Sequence, residues 1–447
     1  MKLRRITLLL LANVVSLGLL AEGYQLNLQS TKQLGMGYLG GALKLGGESM
    51  LFNPAGMVFM ETKSEASFGV NAVISKSNYV SGTNNFFSHN KIGTPIFGYY
   101  SYKVNDDVAV GVTINNPAGN GMNWGGNWPG NTFVQSIDLA VYTLQPTISV
   151  KLGDKFSVGA GLMVNFGSFT LSKALIPAGG LAGLATAVPT LAPTINYYKG
   201  VPAVSLELEG KSKVGFGFNV GFLYEPFENF TIGVSYRSKI DMSVDDGTAK
   251  LQYPGPAMSY VITTAAGIPS LAATFMPIVM LDNEKFAASL PIPSDLKVGV
   301  AYKPNKDFTV SAEIDYVGWK AYDKLEFDFA TEALGKSVIT KNFKNTFIYR
   351  IGAEYKTTEK VTGRVGFIYD QTPVDTEHYG PETPGATKFS FTTGFTFSPT
   401  KKFDIDVAFQ YLTSEKIDGT TTSGSNILSG TYQTTAFIPS LGVKFKF

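Results

Sequence analysis

From Ser64 to the C-terminus, apolar and polar residues alternate with a period of two in many short segments. The clearest segment runs from Phe403 to Tyr411, where large apolar residues alternate with Asp404, Asp406, Ala408 and Gln410. This period is that of a β-strand with one apolar face. It predicts fourteen strands, at residues 66–75, 91–103, 107–115, 138–152, 156–172, 204–224, 230–241, 295–303, 308–319, 345–356, 361–371, 387–398, 403–414 and 434–447.

The connections between these strands alternate strictly between short and long. The short ones are polar turns such as Gly153-Asp154-Lys155. The long ones cover residues 76–90, 116–137, 173–203, 242–294, 320–344, 372–386 and 415–433. Short periplasmic turns, long extracellular loops and an even strand number are typical of outer-membrane barrels. We therefore predict an all-β fold, a 14-stranded antiparallel transmembrane β-barrel with both termini in the periplasm.

The stretch before the first strand, residues 23–60, is both rich in glycine and apolar. Seven glycines lie between Gly35 and Gly56, too many for a continuous helix or strand. Irregular backbone needs internal hydrogen-bond partners, so an apolar segment of this kind must be enclosed. We predict that it lies inside the barrel as a plug, or hatch. The alternative is an ordinary N-terminal cap on a soluble β domain.

The first residues have the pattern of a secretory signal peptide. A basic start precedes fifteen uncharged residues, 6–20, and the small Ala21. That run is short for a spanning helix, which needs about 20 residues. The predicted organisation is a signal peptide at 1–21, a hatch at 22–63 and a barrel at 64–447.

Composition supports a membrane barrel and argues against other classes. Charged residues make up 16% of the chain, whereas soluble proteins average about 25%. A net charge of +2 without a basic stripe argues against nucleic acid as a partner. The only histidines, His89 and His378, fall in predicted extracellular loops. No nucleophile is placed beside them, and no metal cluster or phosphate loop is visible, so we predict no enzyme, metal or cofactor.

Two of the long loops contain stretches without charge, residues 174–196 and 251–281. Both are long enough for a membrane helix, but prolines interrupt them, so spanning helices are rejected. Exposed apolar loops of this size usually mark a binding surface. The side chains predicted to capture a hydrophobic ligand are Leu181, Leu184, Ile278 and Leu281. The alternative is that the two loops only pack on each other over the barrel mouth.

Strand alternation also turns five charged side chains toward the lumen, namely Glu313, Asp315, Arg350, Glu354 and Arg364. Neighbouring strands lie about 4.8 Å apart, so these charges can pair. One interpretation is that they hold the hatch or line its path. The other is that they form a salt-bridge network that braces the barrel wall.

Several stretches resemble the outer-membrane long-chain fatty acid transporter family, which includes the aromatic-hydrocarbon transporters. They are the segment from Gly23 through Tyr24 and Leu26 to Asn27, the motif Asn53-Pro54-Ala55, and residues 296–302, 318–319, 351–355 and 369–374. The resemblance covers nearly the whole mature chain. It implies a monomeric fourteen-stranded barrel with an N-terminal hatch and two apolar capture loops, in the outer membrane of a Gram-negative bacterium among lipid and lipopolysaccharide. The aromatic C-terminus, Phe447, resembles the signal that the outer-membrane assembly machinery recognises.

From this resemblance we predict that hydrophobic compounds such as fatty acids diffuse through a hatch-gated barrel. Pro54 restricts Asn53 to extended conformations, so the Asn53-Pro54-Ala55 turn should be a rigid anchor. Gly40, Gly41, Gly46 and Gly47 should give the hatch mobility. Residues 128–137 lack the basic residue that the family places near a ligand carboxylate, and Lys324 is either a substitute or a solvated loop lysine. The alternative functions are a structural or adhesive barrel, or a general porin with a fixed plug.

Overall fold

The computed structural model describes residues 24–423 and 426–447. The predicted signal peptide at 1–21 and Gly23 lie outside these residues. The described chain forms 22 strands: β1 (Ser64–Asn71), β2 (Ile74–Ser81), β3 (Asn84–Phe87), β4 (Ile96–Lys103), β5 (Val108–Asn123), β6 (Ser136–Leu152), β7 (Phe156–Ile176), β8 (Val204–Lys211), β9 (Gly215–Phe227), β10 (Phe230–Arg237), β11 (Ile240–Gln252), β12 (Lys285–Ile292), β13 (Asp295–Asn305), β14 (Phe308–Val317), β15 (Lys324–Phe329), β16 (Lys336–Thr340), β17 (Thr346–Thr358), β18 (Val361–Asp370), β19 (Lys388–Thr400), β20 (Phe403–Ser414), β21 (Ile417–Ser423) and β22 (Asn426–Lys446).

Fourteen of these strands close into one antiparallel barrel. Their order around the ring is β1, β4, β5, β6, β7, β9, β10, β13, β14, β17, β18, β19, β20 and β22, and β22 pairs back to β1. The last residue joins this closure, because the Phe447 amide donates to the Ser64 carbonyl at 2.9 Å. The predicted fourteen-stranded antiparallel barrel is confirmed.

Some predicted strands differ in detail. The predictions 66–75 and 230–241 each run past the end of a strand, since β1 ends at Asn71 and β10 ends at Arg237, and residues 204–224 hold two strands with a break at Ser212, Lys213 and Val214. In β8 the even-numbered Leu206 and Leu208 are buried, whereas in β9 the even-numbered Phe216 and Phe218 are exposed. The chain therefore changes faces at the break. β9 continues in the barrel ring, while β8 pairs with β11 and with the outer part of β7.

The outer face of the barrel is apolar and aromatic. Phe216, Val365 and Phe391 each expose more than half of their surface on this face. The inward positions of the same strands carry small or polar residues such as Asn219 and Thr392, which are buried. Apolar residues facing outward and polar residues facing inward suit a wall with lipid outside and protein inside.

The long connections are folded segments, which carry the eight remaining strands and most of the helices. The α-helices are α1 (Thr31–Leu34), α2 (Ser49–Phe52), α3 (Ala182–Ala187), α4 (Ala192–Tyr197), α5 (Pro256–Gly267) and α6 (Pro269–Met280). Short 3-10 helices cover Gly46–Glu48, Pro54–Phe59, Pro189–Leu191, Trp319–Ala321 and Thr376–His378. Within the described ranges, none of the helices combines the length and apolar character needed to cross a membrane. Pro256 and Pro269 begin helices, where the missing amide proton costs nothing.

The segment before β1, residues 24–60, touches every strand of the ring. Its side chains and backbone hydrogen-bond to or pack against β1, β4, β5, β6, β7, β9, β10, β13, β14, β17, β18, β19, β20 and β22. A short segment can reach all strands of a closed ring only from within it. We call residues 24–60 the hatch.

The hatch backbone comes closest to the wall where the wall carries glycine. A Cβ atom added to Gly366 on β18 would overlap the backbone of Met36 and Gly37. A Cβ atom on Gly233 of β10 would overlap the Gly41 carbonyl in the same way. Glycine in a strand interior often marks such a close backbone approach. The inner wall is therefore shaped to the irregular course of the hatch.

We expect Gly366→Ala to destabilise the closed protein, because overpacking of this kind costs about 1–3 kcal/mol. Gly363→Ala is the matched control, since Gly363 lies on the same strand and a Cβ there meets nothing within 4 Å. One measurement is the temperature above which the purified barrel no longer migrates as the folded protein in gel electrophoresis. A second is the rate of protease cleavage within the hatch. Equal behaviour of the two variants would contradict the close fit.

Candidate functional site

A cavity of about 510 Å³ lies between the hatch and the barrel wall. The hatch side of the cavity is formed by residues 24–28 and by Tyr38. The wall contributes apolar side chains, namely Ile348, Ile368, Leu412, Ala436 and Ile438, and charged ones, namely Lys91, Asp138, Arg350, Asp370 and Lys388. The lining of the cavity is therefore mainly apolar, and it also carries several charged side chains.

The cavity reaches the outer face of the barrel where β5 separates from β4. The pairing of β4 with β5 ends at Phe97 and Asn115, and β5 shifts register against β6 between Asn115 and Ala118. The Asn116 side chain holds this break, because it accepts a hydrogen bond from the Ile96 amide at 3.0 Å. Ala140 and Tyr142 line the cavity although they alternate with the buried Val141. The wall is thus interrupted beside the cavity.

The first described residues of the hatch occupy the edge of β5 that β4 leaves free. The Leu26 amide donates to the Pro117 carbonyl and the Gly119 amide donates to the Tyr24 carbonyl, both at 2.8 Å. The Tyr24 ring packs edge-on against Trp319 and Tyr322, with centroids 5.2 and 5.8 Å away. Its hydroxyl donates to the Pro291 carbonyl. Two of the residues predicted from the N-terminal motif, Tyr24 and Leu26, therefore lie at the cavity.

The Asn53-Pro54-Ala55 turn lies against another part of the wall, on β7, β9 and β10. Asn53 is extended, with φ −153°, and its side-chain oxygen accepts the Ala55 amide at 3.1 Å. Its amide nitrogen donates to the carbonyls of Gly41 at 2.6 Å and Phe222 at 3.1 Å. The Ala55 carbonyl accepts from Ser157 at 2.9 Å. These contacts link two parts of the hatch to each other and to the wall, and the anchor role remains a prediction.

Three of the four glycines predicted to give mobility are themselves hydrogen-bonded to the wall. The amides of Gly40 and Gly41 donate to the Glu313 carboxylate at 3.3 and 2.6 Å, and the Gly47 amide donates to Glu65 at 3.0 Å. Gly46 has φ +64°, in the left-handed region that favours glycine. Hatch movement through these glycines remains a prediction, and it would require the bonds to both carboxylates to break.

The five predicted lumenal charges form two groups. In the first, Arg350 contacts Glu313 at 3.3 Å and also pairs with Asp315. In the second, Arg364 pairs with Glu354 at 2.6 Å. Glu354 lies 3.9 Å from Lys32 of the hatch, so the second group also reaches the hatch.

Sequence reasoning missed further members of the first group. Lys297 on β13 pairs with Asp315 and lies 3.1 Å from Asp295, which in turn pairs with Arg237 on β10. Asp295 and Lys297 alternate with the outward Leu296 and Val298, so the period-two pattern could have found them. The network joins β10, β13, β14 and β17 and binds the hatch through Glu313. The sequence allowed two interpretations, a network that braces the wall or charges that hold the hatch. The network makes contacts of both kinds, from wall to wall and from wall to hatch.

The predicted capture residues Leu181, Leu184, Ile278 and Leu281 are all buried in one apolar cluster. They lie on or beside α3 and α6, and these loop helices pack in series, α3 on α4, α4 on α5 and α5 on α6. None of the four lines the 510 Å³ cavity. The large apolar side chains that these loops expose are others, including Tyr197 and Tyr260.

Lys324 lies on β15 and pairs with Glu326 at 2.9 Å, with about half of its side chain exposed. It does not line the cavity, whereas Lys91, Arg350 and Lys388 do. Across residues 24–423 and 426–447, no cluster of three or more acidic or histidine side chains that could hold a metal ion is found.

Comparison with known proteins gives one consistent result. The family described as outer membrane protein transport protein (OMPP1/FadL/TodX) matches residues 12–447. The 47 kDa outer membrane protein of Pasteurella multocida is 25% identical, over 62% of this chain and 72% of that protein. The long-chain fatty acid transport protein of Escherichia coli K12 is 23% identical, over 89% of each chain. The crystal structure of a Pseudomonas aeruginosa FadL homologue covers 95% of this chain and all of its own, with 21% identity and a TM-score of 0.78.

We expect Arg350→Met to destabilise the barrel by about 3–5 kcal/mol, because it leaves buried carboxylates without their main partner. Lys336→Met is the control, since that lysine also contacts two carboxylates but is more than half exposed and should change stability little. The measurement is the free energy of unfolding by urea in detergent micelles. Similar losses of unfolding free energy in both variants would show that the buried network stabilises the barrel no more than an exposed ion pair does.

Proposed function

Since the chain belongs to the outer membrane protein transport protein family (OMPP1/FadL/TodX), we propose that it lets long-chain fatty acids or similar lipophilic molecules cross the outer membrane by diffusion. The observation that carries this proposal is the 510 Å³ cavity between hatch and wall. Apolar side chains of strands and hatch face it together, as expected of a site for hydrophobic ligands.

The charged lining supports an amphipathic ligand over a pure hydrocarbon. Arg350 and Lys388 lie beside the apolar Ile348 and Ile368 at one part of the cavity, because the register of β17, β18 and β19 makes these positions neighbours. A ligand whose chain packs on the isoleucines would bring an anionic head group within reach of these cations. Asp370 lies in the same part, so the head group would have to compete with a resident carboxylate.

The proposed route begins at the apolar loops, where Tyr197 and Tyr260 expose most of their rings. The ligand then reaches the cavity and leaves it in one of two ways. It either passes the hatch after the hatch moves, or passes sideways through the break between β4 and β5. Tyr24 and Leu26 border both exits, because they pair with β5 at the break and belong to the hatch.

The alternative functions have less support. A general porin needs a continuous water path, whereas the hatch reaches all fourteen strands of the ring. A purely adhesive barrel gives no reason for a cavity of this size beneath the mouth. The family consists of transport proteins, and transport without catalysis is part of the proposal. The proposal also includes that the protein is a monomer surrounded by lipid and lipopolysaccharide. The outer-membrane assembly machinery would recognise it through Phe447.

We expect a disulfide between hatch and wall to block transport reversibly. Gly47 and Ser101 suit the test, because a Cβ on Gly47 lies 3.3 Å from the Ser101 Cβ, close to the roughly 3.5–4.5 Å of natural disulfides. The native chain has no cysteine. Cells producing Gly47→Cys/Ser101→Cys should lose most uptake of labelled fatty acid under oxidising conditions and regain it after reduction.

The controls are the single variants Gly47→Cys and Ser101→Cys, which should not respond to reduction. Full uptake by the oxidised double variant would reject hatch movement. Only the sideways route through the wall would then remain.

We expect Leu181→Asp/Leu184→Asp to weaken binding of a fluorescent fatty acid, and Ile278→Asp/Leu281→Asp to do the same. Each buried aliphatic side chain contributes roughly 1.5–3 kcal/mol to packing, so a charge there should open the loop helices that receive the ligand. Thr186→Asp is the control, since Thr186 is exposed on the same helix α3 as Leu184. Unchanged affinity in folded variants would remove the loops from the mechanism.

A further inference from the structure

Residues 379–387, between β18 and β19, form neither helix nor strand, yet all nine are buried. We call them the strap. Connecting segments normally run over the surface, because buried irregular backbone leaves polar groups without partners. The strap instead finds partners inside the barrel mouth.

The strap crosses the mouth toward the far side of the ring. The Pro381 carbonyl accepts a hydrogen bond from the Trp124 ring nitrogen at 2.7 Å, and the Glu382 carbonyl accepts one from the Asn120 side chain at 3.1 Å. Asn120 lies on β5, and Trp124 follows that strand directly. Around the ring, β5 lies five positions from β19, where seven is the largest separation.

A buried ion pair holds the middle of the strap. Lys341, one residue beyond β16, places its amine 2.9 Å from the Glu382 carboxylate, and the two side chains are only 2% and 1% exposed. Either charge alone would be costly in such a place, because burial removes its hydration. The inward position of Glu382 therefore depends on Lys341.

The beginning of the strap is packed by aromatic rings. Tyr379 lies 4.6 Å from the Tyr432 ring and covers Gly419, where a Cβ would overlap the phenol. Thr421 donates its hydroxyl proton to the Tyr379 carbonyl at 2.8 Å. These residues belong to β21 and β22, so the strap is fixed at its start, at its middle and at β5.

The strap also forms part of the cavity wall. Thr383 and Pro384 line the 510 Å³ cavity, which the hatch residues 24–28 border as well. The hatch precedes β1, whereas the strap belongs to the long extracellular connection between β18 and β19. The cavity thus has the hatch on one side and the strap on the extracellular side.

We propose that the strap is a second, extracellular gate, and that the Lys341–Glu382 ion pair is the latch that keeps it closed. The gate closes the direct path from the barrel mouth to the cavity, and breaking the latch lets the strap move outward so that the charged groups reach water. This gate deepens the proposed transport function, but its test needs no hydrophobic ligand.

The test measures how fast a charged, water-soluble maleimide labels a single cysteine at the cavity lining, Ile438→Cys, in protein reconstituted into liposomes. Glu382→Gln should raise the labelling rate at least tenfold, because it leaves the Lys341 charge buried without its partner. Adding Lys341→Met to Glu382→Gln removes both charges, so the double change should return the rate to near its original value. Glu326→Gln is the control, since it weakens two pairs, with the more than half-exposed Lys324 and Lys336, that do not touch the strap.

Variants that retain the barrel are identified because they migrate at the position of the folded protein in gel electrophoresis. Equal labelling in all folded variants would overturn the gate, and equal acceleration in the single and double variants would overturn the ion pair as its latch. Failure of fatty acid uptake would bear on the proposed function alone, because maleimide labelling reports only whether water reaches the cavity.

Discussion

The structure depends on one constraint, the need of a largely irregular backbone inside the barrel to find hydrogen-bond partners that its few short helices cannot supply. The wall meets this need with inward side chains. Glu313 accepts the Gly41 amide, and Ser157 donates to the Ala55 carbonyl. Where no side chain fits, a glycine such as Gly366 lets the two backbones touch. The inner face is therefore specific to this hatch, whereas the outer face needs only to be apolar.

The buried charges of the lumen have the same cause, the need of the hatch backbone for hydrogen-bond partners. A carboxylate that binds hatch amides must itself be neutralised, because burial without a counter-charge is costly. Glu313 therefore comes with Arg350, and Glu65 comes with Lys444 at 2.8 Å. The ion pairs that brace the wall and those that hold the hatch are for this reason the same groups.

The barrel could be predicted because lipid outside and protein inside impose a period of two on every strand, which is visible in residues such as 403–411. The break at Ser212–Val214 could not, since alternation does not show which neighbour a strand pairs with. Residues 379–386 of the strap were predicted only as part of a long loop, 372–386. Its glycines and prolines look like those of any surface turn, and its partners Trp124 and Asn120 are 257 and 262 residues away in sequence. Likewise, tertiary structure brings the cavity cations Lys91 and Lys388 to one site, and although alternation with Phe389 turns Lys388 inward, it does not show which residues it meets there.

The reach of the hatch to all strands has a consequence for biogenesis. Residues 24–60 are made before any strand of the ring, yet some of their partners lie on β22, the strand of the ring farthest from them in sequence. The Thr31 hydroxyl meets Ser440 at 2.6 Å only once β22 is in place beside β1. The hatch therefore lacks part of its hydrogen-bond partners until the whole ring of strands has formed. Its native conformation is completed only when β22 pairs with β1, so a segment that precedes every strand is among the last to fold.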